Sequence, residues 1–231
     1  MSVENRAVSV GSKQPTQSGP SIGPRRSSIY RRWFKRPLDI VLVLLGSPFV
    51  LPIVLVLMVL VWRDGGRPFY SQLRVGKNGR HYRMWKLRSM VVDAEERLST
   101  HLAENEAARQ EWETTQKLRD DPRITPIGQF IRRSSLDELP QLWNVLKGDM
   151  SMVGPRPALP RETEQYDAHA WERTSVVPGL TCYWQIQPKR NSLSFEKWLE
   201  LDLKYIEERS FLVDWKIMFG TISAVLHMEG E

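Results

Sequence analysis

The sequence predicts a mainly helical α+β protein with one N-terminal membrane element, a small β-hairpin and amphipathic helices near its C-terminus. Three observations carry this prediction: an uncharged apolar run over residues 40–62, two strand-like segments around an Asn-Gly dipeptide, and helical spacing of apolar residues towards the C-terminus. A chain of 231 residues is long enough for one domain plus a membrane element. We expect a disordered tail over residues 1–28, a basic flank with the membrane helix over 29–64, and a cytoplasmic domain over 65–231.

The apolar run has 23 residues, and a straight helix of about 35 Å would cover a hydrocarbon core of roughly 30 Å. Ser47-Pro48 lies near its middle and Pro52 follows, so the helix is expected to kink where proline removes a backbone donor. The flanks Arg25–Arg36 and Arg63–Arg88 together hold 14 basic residues and one acid, and basic flanks stay cytoplasmic. The run is therefore either a kinked single-pass helix or a re-entrant helix that bends and returns to the same face, and the flanks favour the second.

The net charge of +6 is unevenly distributed, because the chain outside the two flanks holds 19 basic and 26 acidic residues. Positive charge next to the membrane run suits anionic membrane lipids or an anionic substrate at the surface. We expect no nucleic-acid partner, since no recognition motif accompanies the charge. Cys182 is the single cysteine, which fits a reducing cytoplasmic side and a small buried side chain.

The hairpin is predicted from Phe69–Val75 and His81–Leu87, which flank the Asn-Gly dipeptide. Lys86 and Arg88 are two residues apart and therefore share a face of the second strand. Charges on the exposed face of a hairpin are usually only solvated, so spacing alone leaves open whether these two have a function.

Helices are predicted for the rest of the chain from composition and periodicity. Residues 92–117 are helix-prone and mostly polar, as expected for one solvated surface helix. Shorter helices are predicted over residues 127–133 and 135–146, the latter closed by Lys147-Gly148. Residues 194–228 have the pattern of two amphipathic helices, whose tryptophan-rich faces either pack on the domain core or lie in a membrane interface.

The residues best placed for chemistry are Asp137 and Glu138. One hypothesis is structural, because Ser135 and Glu138 have the spacing of a capping box at a helix start. The other is catalytic: one carboxylate attacks a phosphorus atom, while the other holds Mg²⁺, which binds few carboxylates together with substrate phosphates. Nearby basic residues that could complete an anion site with their planar forks are Arg132, Arg133 and Arg156. No Walker A loop, Rossmann fingerprint, zinc spacing or nucleophile elbow is present.

Seven short motifs follow one another along the chain. They are KRPLD at 35–39, SP at 47–48, WKLRSM at 85–90, DPRIT at 121–125, SLDELPQL at 135–142, GDMSMVGPRP at 148–157 and PGLT at 178–181. In this order they resemble the bacterial sugar transferase family, the monotopic phosphoglycosyl transferases that start exopolysaccharide, capsule and O-antigen synthesis. The resemblance covers residues 32–226.

The resemblance implies a re-entrant membrane helix broken at Ser47-Pro48. It implies that residues 65–231 form the catalytic domain, held at the cytoplasmic face of a bacterial inner membrane. There it would meet a soluble UDP-sugar and a membrane-bound undecaprenyl phosphate.

The resemblance also implies a catalytic dyad of Asp137 and Glu138. Asp137 would attack the β-phosphate of the UDP-sugar and release UMP, and undecaprenyl phosphate would then accept the sugar phosphate from the aspartate. Glu138 would ligate Mg²⁺. The residues implied in phosphate binding are Arg132 and Arg156, with Lys86 and Arg88 as contacts to phosphate or lipid headgroups.

The chain departs from the family pattern in residues 182–191, which by the resemblance shape the sugar pocket. The sequence therefore leaves open which sugar is transferred, which polysaccharide is made, and whether the chain forms a homodimer. The alternative function is a non-catalytic single-pass anchor whose basic cytoplasmic domain binds anionic lipids or a partner. In that case Asp137 and Glu138 would only cap a helix.

Overall fold

The chain is rich in helix and carries one small antiparallel hairpin, which confirms the predicted α+β architecture. The computed structural model describes residues 29–187 and 193–226. The tail predicted for residues 1–28 lies outside these residues, as do 188–191 of the segment that departs from the family pattern.

The helices of the described residues are α1 (Lys35–Arg63), α2 (Ala94–Glu104), α3 (Glu106–Thr115), α4 (Pro126–Arg133), α5 (Gln141–Lys147), α6 (Pro160–Thr163), α7 (Ala168–Trp171), α8 (Phe195–Glu208) and α9 (Phe211–Leu226). The strands are β1 (Phe69–Val75), β2 (His81–Leu87), β3 (Ser151–Val153) and β4 (Gly179–Thr181). A π-helical turn, Tyr30–Phe34, leads into α1, and a 3₁₀ turn, Leu136–Glu138, precedes α5.

The hairpin of β1 and β2 has the predicted bounds, and its register places Phe69 opposite Leu87. Asn78 and Gly79 adopt φ angles of 56° and 78° in the turn. Asn and Gly tolerate this left-handed conformation better than other residues, so the dipeptide fixes the turn. The predicted helices over 127–133 and 194–228 are likewise confirmed, as α4 and as α8 with α9.

Two helix predictions are wrong. The polar segment 92–117 forms two helices, because Asn105 ends α2 and caps α3 by accepting a hydrogen bond from the Ala108 amide. The segment 135–146 is helical as α5 only from Gln141, since Pro140 stands at the boundary and has no amide hydrogen to donate.

The parallel pairing of β3 with β4 was not predicted. Strands of three residues are too short to display an alternating pattern of polar and apolar residues.

The N-terminal end of α1 is fastened to the domain by buried polar contacts. Asp39 accepts hydrogen bonds from the Ser151 hydroxyl at 2.7 Å and the Met152 amide at 3.1 Å. A second junction joins the α1 entry to α9: the Lys35 ammonium and the Tyr30 hydroxyl each lie 2.6 Å from the same carboxylate oxygen of Asp214. Asp214 is itself buried, so these hydrogen bonds replace contacts that its carboxylate would otherwise make with water.

The C-terminal end of α1 packs on the same domain. Leu57 and Val61 are buried in a cluster with Leu87 and Ile131. Arg88 donates from Nη2 to the Val61 carbonyl at 2.9 Å, in the last turn of the helix. Both ends of α1 are therefore attached to one domain.

The middle of α1 is apolar and largely exposed, as at Leu45 and Phe49. The helix assignment continues through Pro48 and Pro52, so no gap in helical structure marks the predicted break. Tyr30–Arg63 is the one helical segment among residues 29–187 and 193–226 that is long and apolar enough to cross a membrane.

Candidate active site

A polar cleft of about 1080 Å³ lies beside β2 and the turn Leu136–Glu138. It brings together six of the residues that the sequence predicted for catalysis or substrate binding, while Arg133 is exposed and does not line the cleft. These are Lys86, Arg88, Arg132, Asp137, Glu138 and Arg156. Ser47 and Pro48, the predicted membrane break, lie elsewhere, in the middle of α1.

A lysine joins the two carboxylates of the dyad. The Lys86 ammonium lies 3.3 Å from Oδ2 of Asp137 and 2.8 Å from Oε1 of Glu138. Residues 137 and 138 are neighbours on a tight turn, and Lys86 projects from β2 onto both. The arrangement concentrates two negative charges and one positive charge at the wall of the cleft.

The pKa values in this cluster follow from burial and charge. Burial raises the pKa of the Asp137 carboxyl, while the positive charge of Lys86 acts against this shift. Burial alone would lower the pKa of Lys86, but the carboxylates of Glu138 and Asp137 outweigh it and raise that pKa to about 12. Lys86 is therefore a permanent cation at neutral pH.

The predicted capping box at Ser135 is wrong. Ser135 has a φ of 55°, and its side chain makes no capping hydrogen bond. The turn that follows is three residues long, and α5 begins only after Pro140. A left-handed backbone at a residue other than glycine is uncommon and costs energy. With Ser135 in this conformation, Asp137 and Glu138 contact Lys86 and do not cap a helix.

Three of the arginines that line the cleft, Arg88, Arg132 and Arg156, have different partners. Arg132 donates from Nε to the Ser89 hydroxyl at 2.8 Å. Arg156 pairs with Glu162 at 3.2 Å and lies over the ring of Trp198. Arg88 uses Nη2 to hold the end of α1, and its Nε and Nη1 are buried without a partner among the described residues.

A buried ion pair that the sequence did not reveal positions Arg156. Asp202 accepts from the Arg156 amide at 3.4 Å, and Arg173 donates to the Arg156 carbonyl at 3.3 Å. Arg173 and Asp202 are 3% and 0% exposed and are bonded to each other. They hold the backbone of Arg156 on both sides, while its guanidinium remains in the cleft.

Gln141 is a second residue that sequence reasoning missed. Its side chain lines the cleft at the start of α5 and is 2% exposed, yet its Nε2 has no partner within the described residues. A buried amide without a partner costs about 1–3 kcal/mol, so such groups usually meet a ligand or water. Its place in the SLDELPQL motif was the available signal.

The donor set of the cleft fits Mg²⁺ only together with a phosphate ligand. Among residues 29–187 and 193–226, no group of three or more His, Cys, Asp or Glu is placed to hold a metal. Mg²⁺ sites that act on phosphates typically use one or two carboxylates and complete the shell with phosphate oxygens and water. Glu138, whose side chain is 29% exposed, meets that requirement.

Comparison with known proteins places the chain in a family. Residues 30–228 match the family described as bacterial sugar transferase, so the chain belongs to it. It is 44% identical over 199 residues to the UDP-galactose-lipid carrier transferase of Erwinia amylovora, and 42% identical over 206 residues to the undecaprenyl-phosphate galactose phosphotransferase of Salmonella typhimurium. These matches cover 86% and 89% of the chain but only 42% of either relative.

A relative of similar length also matches. The chain is 42% identical over 198 residues to the exopolysaccharide production protein ExoY of Sinorhizobium fredii, which covers 85% of the chain and 87% of ExoY. The region that the chain shares with the longer relatives thus corresponds to almost the whole of ExoY.

Proposed function

We propose that the protein transfers a sugar 1-phosphate from a UDP-sugar to a polyprenyl phosphate, such as undecaprenyl phosphate, and so initiates exopolysaccharide synthesis. The observation that carries this proposal is the contact of Lys86 with both Asp137 and Glu138 at the wall of an arginine-lined cleft. The names of the relatives support the sugar donor and the lipid acceptor.

In the first step, an Asp137 carboxylate oxygen attacks the β-phosphorus of the UDP-sugar. The bond from that phosphorus to the bridging oxygen breaks, and UMP leaves with the electron pair. The product is a sugar-phosphoryl aspartate, a mixed anhydride of the Asp137 carboxylate and the sugar phosphate, as expected for covalent catalysis in two steps. Arg132 and Arg156 bind the phosphate oxygens from the cleft wall, where bidentate contacts fit their shape.

In the second step, a phosphate oxygen of the polyprenyl phosphate attacks the same phosphorus. The bond to the aspartate oxygen breaks, and Asp137 recovers its carboxylate. Lys86 compensates the negative charge of this carboxylate before and after each cycle. Because the pKa of Lys86 is raised to about 12, it does not lose its proton at neutral pH.

Glu138 would hold Mg²⁺ together with the phosphates of the substrate. Bound there, the ion would neutralise negative charge that builds up on the phosphates during transfer. The Lys86 ammonium lies 2.8 Å from Oε1 of Glu138, so a cation bound by Glu138 would share this carboxylate with Lys86.

Release of UMP tests the function. The full chain in detergent or nanodiscs is incubated with Mg²⁺ and a panel of UDP-sugars, with and without undecaprenyl phosphate. We expect one donor to release UMP catalytically only when the acceptor is present. If no donor in the panel releases UMP, the alternative of a non-catalytic anchor replaces this proposal.

The proposal includes a re-entrant α1 in a bacterial inner membrane, with both ends on the cytoplasmic face and the basic flanks near anionic lipids. A spanning helix holds its ends on opposite sides of a core roughly 30 Å thick, where one domain cannot contact both. The contacts of Asp39 and Val61 with the same domain support the re-entrant placement.

Cysteine labelling provides the topology prediction. In a Cys182→Ala background, Ile29→Cys and Arg67→Cys place single thiols at exposed positions on either side of α1. We expect both to react with a membrane-impermeant maleimide only in inverted vesicles or after permeabilisation. Labelling of either thiol from the periplasmic side of intact spheroplasts would show that α1 spans the membrane.

Gln141 provides a prediction that separates binding from stability. Gln141→Met replaces a buried amide that lacks a partner with an apolar side chain of similar length. We expect the melting temperature to stay the same or rise, because an unpaired polar group is removed. We expect KM for the UDP-sugar to rise by roughly tenfold, because a donor to the bound substrate is lost. A lower melting temperature with unchanged KM would assign Gln141 a purely structural role.

A further inference from the structure

An apolar groove of about 400 Å³ lies between α1 and α5. Val50 and Val54 of α1 form one wall, and Leu142 and Leu146 of α5 form the other. Its lining is almost entirely apolar, in contrast with the neighbouring cleft. Its size lies within the roughly 300–1,000 Å³ of typical small-molecule sites.

The groove is formed by the packed core. Val43, at one end of the groove, is 4% exposed and belongs to a buried cluster with Met84 and Val145. Leu142 and Leu146 pack against the same cluster. Close-packed cores resist collapse, so the groove is available before a ligand arrives.

The groove adjoins the catalytic cleft. Phe69 lines both cavities. A further lining residue, Pro140, lies two residues after Glu138 of the dyad. A chain lying in the groove would therefore carry its headgroup to the cluster of Lys86 and the dyad.

We propose that this groove holds the isoprenoid units next to the phosphate of the lipid acceptor. The inference rests on the proposed function, because it names the binding site of the lipid acceptor of that reaction. The acceptor consists of a phosphate and an apolar chain. The arginine-lined cleft suits the phosphate, and the apolar groove beside it suits the chain. A volume of this size holds only the first units, and the remainder of the chain lies in the bilayer beside exposed α1 residues.

The competing occupant is an acyl chain of an ordinary membrane lipid. Its headgroup would reach the dyad without being a reactant, and it would act as an inhibitor there. The wall that the two cavities share at Phe69 favours the isoprenoid, because a groove beside the nucleophile suits the apolar chain of a substrate.

Filling the groove tests the inference. Val54→Trp places a large ring in the groove, and Val56→Trp is the matched control, because Val56 is 60% exposed on α1 and does not line the groove. We expect Val54→Trp to raise KM for undecaprenyl phosphate by about tenfold or more, with little change for Val56→Trp. Formation of the sugar-phosphoryl enzyme without acceptor should be unchanged in both variants.

The outcomes separate the two proposals. If the wild-type protein forms no adduct and releases no UMP, the proposed function fails. If it does both, and the two tryptophan variants have the same KM for the acceptor, the groove is not the acceptor site.

A measurement on the wild-type chain covers the case in which Val54→Trp does not fold. An isoprenyl phosphate with a benzophenone near its phosphate should cross-link to peptides of α1 or α5. Competition by undecaprenyl phosphate but not by phosphatidylglycerol vesicles supports the inference. Cross-linking confined to other helices, or equal competition by phosphatidylglycerol, overturns it.

Discussion

Asp137→Asn is expected to lower turnover by more than about 10⁴-fold, as seen when a nucleophile is removed from an enzyme that works through a covalent intermediate. Asparagine keeps the size of the side chain and can still accept a hydrogen bond from Lys86. Its amide oxygen is a far weaker nucleophile, so the sugar-phosphoryl aspartate cannot form. Intact-protein mass spectrometry after mixing with the UDP-sugar should show the adduct in the wild type and none in the variant.

The matched control is Glu164→Gln, which neutralises an exposed carboxylate away from the cleft. It should form the adduct and release UMP at the rate of the wild type. Asp137→Asn should melt within a few degrees of the wild type, so that loss of activity is not loss of fold. An adduct on Asp137→Asn would assign the nucleophile to another residue.

Lys86→Met is expected to give the second largest effect, a loss of roughly 10²–10³-fold in kcat, the range found when one preorganised charge-stabilising donor is removed. Methionine preserves the length of the side chain without its charge. Asp137 and Glu138 would then face each other's charge without a cation between them. The rate falls because Asp137 must be ionised to attack.

The pH dependence of the rate should also change in Lys86→Met, and its direction follows from the pKa of Asp137. Burial raises the pKa of Asp137 and Lys86 opposes the rise, so removing Lys86 raises that pKa further. The ionised nucleophile is lost as pH falls through its pKa, and the acidic limb of the rate profile therefore moves to higher pH in Lys86→Met. The control is Arg83→Met on the same strand, where the side chain is exposed. An acidic limb that stays at the wild-type position would contradict the role of Lys86.

Much of the fold could be predicted from local chemistry. The hairpin has its predicted bounds because an Asn-Gly dipeptide between strand-like segments leaves few alternatives. The two C-terminal helices could be predicted because apolar spacing is maintained over several turns. The errors at Asn105 and Pro140 arose where one residue ends or delays a helix inside a segment that favours helix throughout.

The site could be predicted only in part. The motif order selected six residues that the structure brings into one cleft. Spacing could not show that Lys86 contacts both carboxylates, because about fifty residues separate β2 from the dyad. The pair of Arg173 and Asp202, 29 residues apart, was hidden for the same reason. Neither has a local pattern, and only the folded chain reveals that they support Arg156.

The junction at Asp214 makes completion of the protein depend on the order of synthesis. Tyr30 and Lys35 leave the ribosome long before Asp214, which follows them by 184 and 179 residues. The apolar helix can enter the bilayer early, since N-terminal segments are made and begin to fold first. Tyr30 and Lys35, at the start of this helix, can contact α9 only after Asp214 has been synthesised. A nascent chain that stops before that residue would lack the carboxylate that joins Tyr30 and Lys35 to α9.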